Sequence, residues 1–147
     1  MNLADSIIAQ HFPNSKRALC FNDISVEEIV EAYETPLFVY VRQVIDQKLA
    51  LLKQTVPDGF RIYYSVKANP SQALLRHFLA QGCGLEVASG GELRKALTAG
   101  ARPKTIIYAG PGKTEEELKM ALSAQIGEIH VESMTEIDRL TALSAQM

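Results

Sequence analysis

Four short runs of β-branched and aromatic residues recur at nearly equal intervals along this chain, and this regularity constrains its fold more than any other feature. The runs cover residues 61–66, 84–88, 105–109 and 128–132, and each has the length and residue types of a β-strand. Their ends are 22, 21 and 23 residues apart. Such spacing leaves room for one helix after each strand, so it predicts a βα repeat that builds a parallel sheet.

The segments between the runs carry signals for helix starts. Capping-box sequences occur at Ser89–Glu92, Thr114–Glu117 and Ser133–Glu136. In such a box the Ser or Thr side chain binds the backbone N–H three residues on, and the Glu reaches back to the cap. The helix after the first run is predicted to begin at Asn69-Pro70, because the fixed φ of proline suits the first helical position.

Residues 1–40 differ from the repeat and are predicted to form an amino-terminal helix and strand that precede it. Ser25 begins a capping box for a short helix that runs through Ala32, and residues 35–40 have the composition of a strand. An amphipathic helix is predicted next, over residues 41–55. The second predicted domain, residues 41–147, begins with this helix.

Four equal βα units are half of the eight that close a (β/α)₈ barrel of the TIM type, which usually needs ~250 residues. A flavodoxin-like open sheet is the alternative α/β fold and would be complete at this length. The spacing alone does not decide between them. In both folds, functional groups gather at the carboxyl ends of the parallel strands. Those ends carry Lys67, Glu86, residues 109–113 and Glu132.

Composition excludes several classes of function. The net charge is −2 and the basic residues form no stripe, which argues against nucleic-acid and membrane partners. No stretch approaches the ~20 apolar residues of a transmembrane helix, and the amino terminus lacks the features of a signal peptide. The cysteines and histidines have no metal-ligand spacing. We therefore expect a cytoplasmic protein without a metal, in which His130 is a packed core histidine.

Lys67 is the most informative residue, because it follows an apolar and aromatic run and so lies at the rim of a buried sheet. An ammonium group is costly to desolvate there and is seldom left unpaired. One interpretation is a lysine whose stem is buried and whose charged end reaches solvent. The other is a nucleophilic lysine that forms a Schiff base. The spacing leaves both open.

A resemblance to a known family covers nearly the whole chain. Tyr64-Ser-Val-Lys-Ala-Asn69 resembles the cofactor-lysine motif of the ornithine/diaminopimelate/arginine decarboxylases, which are barrel-fold (fold type III) pyridoxal-phosphate enzymes. Gly84–Leu93 resembles the second motif of that family, and residues 107–113 and 130–133 resemble its third and fourth strand ends. The resemblance implies an α/β fold that is the first half of a pyridoxal-phosphate-binding (β/α)₈ TIM-type barrel, truncated after four βα units.

The resemblance also implies roles for individual residues. Lys67 would bind pyridoxal 5′-phosphate covalently, and Glu86 matches an active-site carboxylate near that linkage. The family more often has Asp at the position of Glu86, which predicts a reshaped pocket and poorer turnover of meso-diaminopimelate than of another amino acid. A solvated edge charge is the alternative for Glu86. Glu92 matches a second family carboxylate, but it also completes the capping box of Ser89, and both interpretations stay open.

The activity implied is that of a pyridoxal-phosphate-dependent amino-acid decarboxylase, a carboxy-lyase similar to the diaminopimelate decarboxylases. Its partners would be a small amino-acid substrate and, in the full-length parent, a second copy in a homodimer. The remaining site residues of the family lie beyond residue 147, so we expect the chain alone to be an inactive fragment. The alternatives are a non-catalytic homologue that binds or regulates a full-length relative, and a decarboxylase for an amino acid bound to a carrier protein.

Overall fold

A computed structural model describes residues 2–13 and 18–146; Met1, residues 14–17 and Met147 lie outside the described residues. The chain divides into two compact units, Met1–Asp58 and Gly59–Met147. The domain boundary predicted after residue 40 was drawn from the sequence pattern and not from contacts between residues, and it stays a prediction. No helix among the described residues is long and apolar enough to cross a membrane.

The first unit contains three helices and a two-stranded antiparallel hairpin among its described residues. The predicted capping box of Ser25 and Glu28 is formed by both of its bonds and begins the predicted short helix. The predicted amphipathic helix is also present. One further helix and the hairpin come in addition to the predicted elements. In chain order they are α1 (Leu3–His11), β1 (Cys20–Phe21), β2 (Ile24–Ser25), α2 (Val26–Tyr33) and α3 (Arg42–Thr55).

Residues 35–40 do not form the predicted strand. They have no regular secondary structure, and no described residue pairs with them in a sheet. A β-strand is defined by hydrogen bonds to a neighbouring strand, so a suitable composition is not sufficient. Both aromatic side chains of this segment are exposed, Phe38 at 90% and Tyr40 at 50%.

The described residues of the second unit form a four-stranded parallel sheet with one helix after each strand. The strand order in the sheet, β3-β4-β5-β6, is the order along the chain. A flavodoxin-like sheet would change direction at its switch point, whereas a barrel adds each strand beside the preceding one. The order therefore confirms the barrel prediction. The elements are β3 (Tyr63–Ser65), α4 (Gln72–Ala80), β4 (Gly84–Val87), α5 (Gly90–Thr98), β5 (Ile106–Tyr108), α6 (Glu115–Ser123), β6 (Glu128–Ile129) and α7 (Met134–Ser144), with 3₁₀ turns at Val66–Ala68 and Pro103–Thr105.

The two faces of this sheet have different characters, because side chains alternate along each strand. One face packs against the helices and forms the core, with Leu85 and Tyr108 fully buried. Ser65, Glu86 and Ile107 occupy the other face, where they are aligned in register across three strands and only half-buried. We call this second face the inner face, by analogy with the inside of a barrel.

Helix α4 begins later than predicted. Its cap residue is Ser71, and Pro70 is not the first helical residue. The backbone of Asn69 is extended, and its side-chain oxygen accepts a hydrogen bond from the Ser71 N–H at 2.9 Å. Asn69 therefore stabilises a turn that precedes the helix, a role that competes with capping in residues of this type.

The three capping boxes predicted in the second unit are formed in two ways. The box at Thr114 is complete. At Ser89 and Ser133 the serine caps the helix, but the glutamate accepts from the N–H of the residue before the serine, at 2.8 and 3.0 Å. These two serines have φ of −151° and −154°, against −71° at Thr114, which points their own N–H in a different direction. The prediction is right for the serines and wrong for the second bond.

Gly84 begins β4 where a side chain has no room. A Cβ at this position would lie against the Tyr63 ring and 2.7 Å from the carbonyl oxygen of Thr105. We expect Gly84→Ala to lower the free energy of unfolding by about 1–3 kcal/mol, because the backbone of Thr105, just before β5, must shift. Urea denaturation measures this. Gly91→Ala is the matched control, since the nearest atom is 3.7 Å away; equal losses in both variants would contradict the steric argument.

Candidate active site

Lys67 lies at the carboxyl end of β3, in the 3₁₀ turn Val66–Ala68. Val66 is fully buried in the core, whereas Lys67 is exposed. No described residue accepts a hydrogen bond from its ammonium or forms an ion pair with it. The structure thus places an unpaired primary amine at the end of the sheet where functional groups of barrels gather.

The turn that carries Lys67 is fixed by the residue three positions before it. The ring of Tyr64 stacks on Phe78 of α4, with ring centroids 4.1 Å apart. Its hydroxyl donates a hydrogen bond to the backbone oxygen of Asn69 at 3.1 Å. Tyr64 therefore connects the core to the far end of the turn and limits the positions that the Lys67 backbone can adopt.

Glu86 lies on the inner face of β4, directly opposite Ser65 of β3 in the parallel register. Its side chain is half-buried, and no described residue pairs with its carboxylate. β4 has a neighbouring strand on each side, so Glu86 does not lie on an edge strand; its role as an active-site carboxylate stays a prediction. β3 and β4 are adjacent in the sheet, ~4.8 Å apart, so Lys67 and Glu86 lie near the carboxyl ends of neighbouring strands.

Glu92 forms the bonds of a helix start. Its backbone N–H donates to the Ser89 hydroxyl, and its carboxylate accepts from the Ala88 N–H at 2.8 Å. These contacts confirm its part in beginning α5. A second role of Glu92, as an active-site carboxylate, stays a prediction.

A buried ion pair that the sequence did not indicate lies at the same end of the sheet. The Lys113 ammonium is 3.1 Å from the Glu136 carboxylate and donates to the Gly110 carbonyl oxygen at 2.6 Å, and the lysine and the glutamate are each only 2% exposed. Glu136 also accepts from the backbone N–H of Lys113 and of Glu132. Lys113 and Glu136 are 23 positions apart, which is one repeat length. That spacing was the one feature of the sequence that could have indicated this contact.

Glu117 at the start of α6 connects two neighbouring helices. Its carboxylate accepts from the Gly90 N–H at 2.7 Å and from the Thr114 N–H at 3.0 Å. These bonds, that from Gly90 first, lower the pKa of Glu117 to about 2. The Tyr108 hydroxyl is buried without a hydrogen-bond partner among the described residues, and its pKa is raised by burial first and then by the nearby Glu117 carboxylate.

The depressed pKa of Glu117 predicts an acid dependence of stability. A carboxyl group whose pKa falls from 4.5 to about 2 on folding stabilises the fold above pH 4.5, and this contribution is lost as the pH drops through about 2. We expect Glu117→Gln to be less stable than the parent at pH 6, with the difference shrinking towards zero near pH 2. Urea denaturation at several pH values measures it. Glu115→Gln removes a charge from the same helical turn and should show no such convergence; parallel curves for Glu117→Gln would refute the assignment.

His130 is not the core histidine that was predicted. Its side chain is 52% exposed, and Nε2 lies 3.4 Å from an oxygen of Glu128. The strand β6 ends at Ile129, and alternation places His130 on the inner face instead of the helix-covered face. No three His, Cys, Asp or Glu side chains converge on a possible metal position anywhere in residues 2–13 and 18–146.

The residues at the β3 and β4 ends fit pyridoxal phosphate in their chemistry. Covalent attachment of its carbonyl group needs an accessible primary amine, and Lys67 supplies one. The hydroxyl oxygen of Ser65 is buried and lacks a partner among the described residues, and it lies on the strand next to Glu86. A carboxylate and a hydroxyl beside the amine suit a ligand that carries both charge and hydrogen-bonding groups.

Comparison with known proteins agrees with this chemistry. Residues 42–147 match the family described as pyridoxal-dependent decarboxylase, pyridoxal binding domain. A diaminopimelate decarboxylase of Zymomonas mobilis is 36% identical over 133 residues, which cover 88% of this chain and 32% of that protein. The 2-[(L-alanin-3-ylcarbamoyl)methyl]-2-hydroxybutanedioate decarboxylase of Staphylococcus aureus is 38% identical over 120 residues, 80% of this chain and 30% of that one.

Solved structures agree in fold. The crystal structure of diaminopimelate decarboxylase from M. jannaschii in complex with L-lysine superimposes with a TM-score of 0.79 and 27% identity, over 89% of this chain and 32% of that one. The chain thus spans about a third of the length of the relatives it matches. Since the family match covers 106 of its 147 residues, the chain belongs to the pyridoxal-dependent decarboxylases, corresponds to the amino-terminal part of their barrel, and has pyridoxal phosphate as its cofactor.

Proposed function

We propose that the intact protein removes the α-carboxylate of an amino acid as carbon dioxide, with pyridoxal phosphate held covalently by Lys67. The observation that carries this proposal is the exposed, unpaired amine of Lys67 at the carboxyl end of β3. A lysine in this position has no evident structural task among the described residues, and its amine is the group that covalent attachment of a carbonyl compound requires.

Pyridoxal phosphate, when bound, supplies an electron sink for the pair of electrons that decarboxylation leaves behind. The protein would contribute position and charge. The Lys67 amine would hold the cofactor and would be placed to give a proton to the substrate α-carbon. The half-buried Glu86 carboxylate would favour a cationic nitrogen beside it, because opposite charges attract more strongly away from bulk water.

The substrate has two candidates. meso-Diaminopimelate is the first, since relatives of this chain carry that name. A different amino acid is the second, and two observations favour it. Glu86 stands where the family more often has Asp, and one relative of similar identity is named for a substrate with a hydroxybutanedioate group. One extra methylene displaces a carboxylate by ~1.5 Å, and a misplacement of about 1 Å can lower a rate on the order of a hundredfold.

Carbon dioxide release decides between these candidates. The intact protein, loaded with pyridoxal phosphate, is offered meso-diaminopimelate, L-lysine, L-ornithine, L-arginine and the substrate named for the Staphylococcus aureus relative. We expect one of the other compounds to give a higher kcat/KM than meso-diaminopimelate, and the 147-residue chain alone to release no carbon dioxide. A preference for meso-diaminopimelate that Glu86→Asp leaves unchanged would assign the first candidate. No release from any amino acid would reject the proposed activity.

A further inference from the structure

Ser65 carries a hydroxyl group that the fold leaves unsatisfied. Its Oγ is inaccessible to solvent and has no hydrogen-bond partner among the described residues. Burying a hydroxyl without a partner is costly, so native proteins keep such groups rare. Tyr108 is buried on the helix-covered face, whereas Ser65 lies on the inner face, two residues before Lys67. An orphaned hydroxyl at this place points to a task in the site.

The neighbour of Ser65 in the sheet is also without a partner among the described residues. Glu86 is its direct register partner in β4, and the two side chains extend from the same face. Adjacent strands lie ~4.8 Å apart, a distance within reach of a glutamate that rotates about its side-chain bonds. An ionised carboxylate accepts hydrogen bonds only, and a hydroxyl can donate one.

We propose that Ser65 is a positioning residue for Glu86: its hydroxyl donates a hydrogen bond to the Glu86 carboxylate in the working enzyme and fixes the reach of that side chain towards the cofactor held by Lys67. The effect of this hydrogen bond on catalysis rests on the function proposed above. A glutamate has one more rotatable bond than an aspartate, so its carboxylate takes more positions unless something restrains it. Ser65 supplies that restraint from the adjacent strand and satisfies its own buried hydroxyl.

The test is a double-mutant cycle in the intact, cofactor-loaded protein. Ser65→Ala removes the hydroxyl, and we expect kcat to fall by roughly tenfold with KM changed little, as for loss of a hydrogen bond to a charged group. Ser65→Thr keeps a hydroxyl on a residue suited to strands and should restore most of the rate. In a Glu86→Asp background the shorter carboxylate moves away from the hydroxyl, so Ser65→Ala should there change kcat less than twofold (~0.4 kcal/mol).

Ser71→Ala is the matched control, because Ser71 begins α4 without a capping hydrogen bond from its side chain. Equal effects of Ser65→Ala in the parent and in the Glu86→Asp background would overturn the pairing, as would a rate unchanged by Ser65→Ala. The activity itself is judged separately, by carbon dioxide release from the parent protein. If the parent releases none, the cycle is measured by urea denaturation with Ser65→Ala and Glu86→Leu, because leucine cannot accept a hydrogen bond. Coupled losses of stability support the pairing, and additive losses reject it.

Discussion

Replacing Lys67 by alanine or by arginine is expected to abolish the covalent attachment of pyridoxal phosphate and to lower carbon dioxide release by at least ~10²-fold. Alanine removes the amine at the end of β3, and the always-charged guanidinium of arginine cannot form the imine. The intact protein is incubated with pyridoxal phosphate, reduced with borohydride and digested. Mass spectrometry should then find the reduced cofactor on the peptide that contains Lys67 in the parent protein and on no peptide of the variants.

Lys104→Ala is the matched control for this experiment. Lys104 is exposed like Lys67 but stands in the 3₁₀ turn that precedes β5, at the amino end of the strands. Its loss should leave labelling and rate unchanged. Reduced cofactor on Lys113 or Lys104 in the parent protein, or full labelling of Lys67→Ala at another lysine, would show that the attachment site is misassigned.

The fold of the second unit could be predicted from the sequence because each signal in it is local. Four strand-like runs and the serine and threonine caps depend on residues within one turn or one strand, and the structure confirms all four βα units. The choice between a barrel and an open sheet is not local, since it depends on which strand lies beside which. The spacing left that open, and the strand order answered it.

The start of α4 and the second bonds of two capping boxes are local errors, and the others come from features that depend on distant parts of the chain. Residues 35–40 have the composition of a strand but no paired neighbour among the described residues. His130 was assigned to the core because a longer strand was expected, whereas β6 ends at Ile129. The ion pair of Lys113 and Glu136 joins the loop after β5 to the first turn of α7, and neither residue is unusual in its own segment. Sequence periodicity predicts the helices and strands, whereas the contacts between successive repeats are seen only in the three-dimensional structure.

Glu136→Leu is expected to lower the free energy of unfolding by about 3–5 kcal/mol, because it leaves the Lys113 ammonium buried without its counter-ion. That ammonium would keep its hydrogen bond to the Gly110 carbonyl oxygen, which carries no full charge. The leucine also deprives the backbone N–H groups of Lys113 and Glu132 of their acceptor. Lys113→Met should cost less, since the carboxylate that remains keeps both backbone donors and its pKa is lowered first by the bond from Glu132. Urea denaturation of the intact protein measures both losses.

The double variant Lys113→Met/Glu136→Leu separates charge burial from packing. Both residues are only 2% exposed, so the single variants leave one buried charge each, whereas the double variant leaves none. We therefore expect the double variant to lose less stability than the sum of the two single variants, with a coupling of at least ~1 kcal/mol. Arg42 and Asp46, an ion pair on the exposed surface of α3, give the comparison. Their variants should change stability by less than ~1 kcal/mol, and additive losses at Lys113 and Glu136 would mean that the pair acts only through its shape and its backbone bonds.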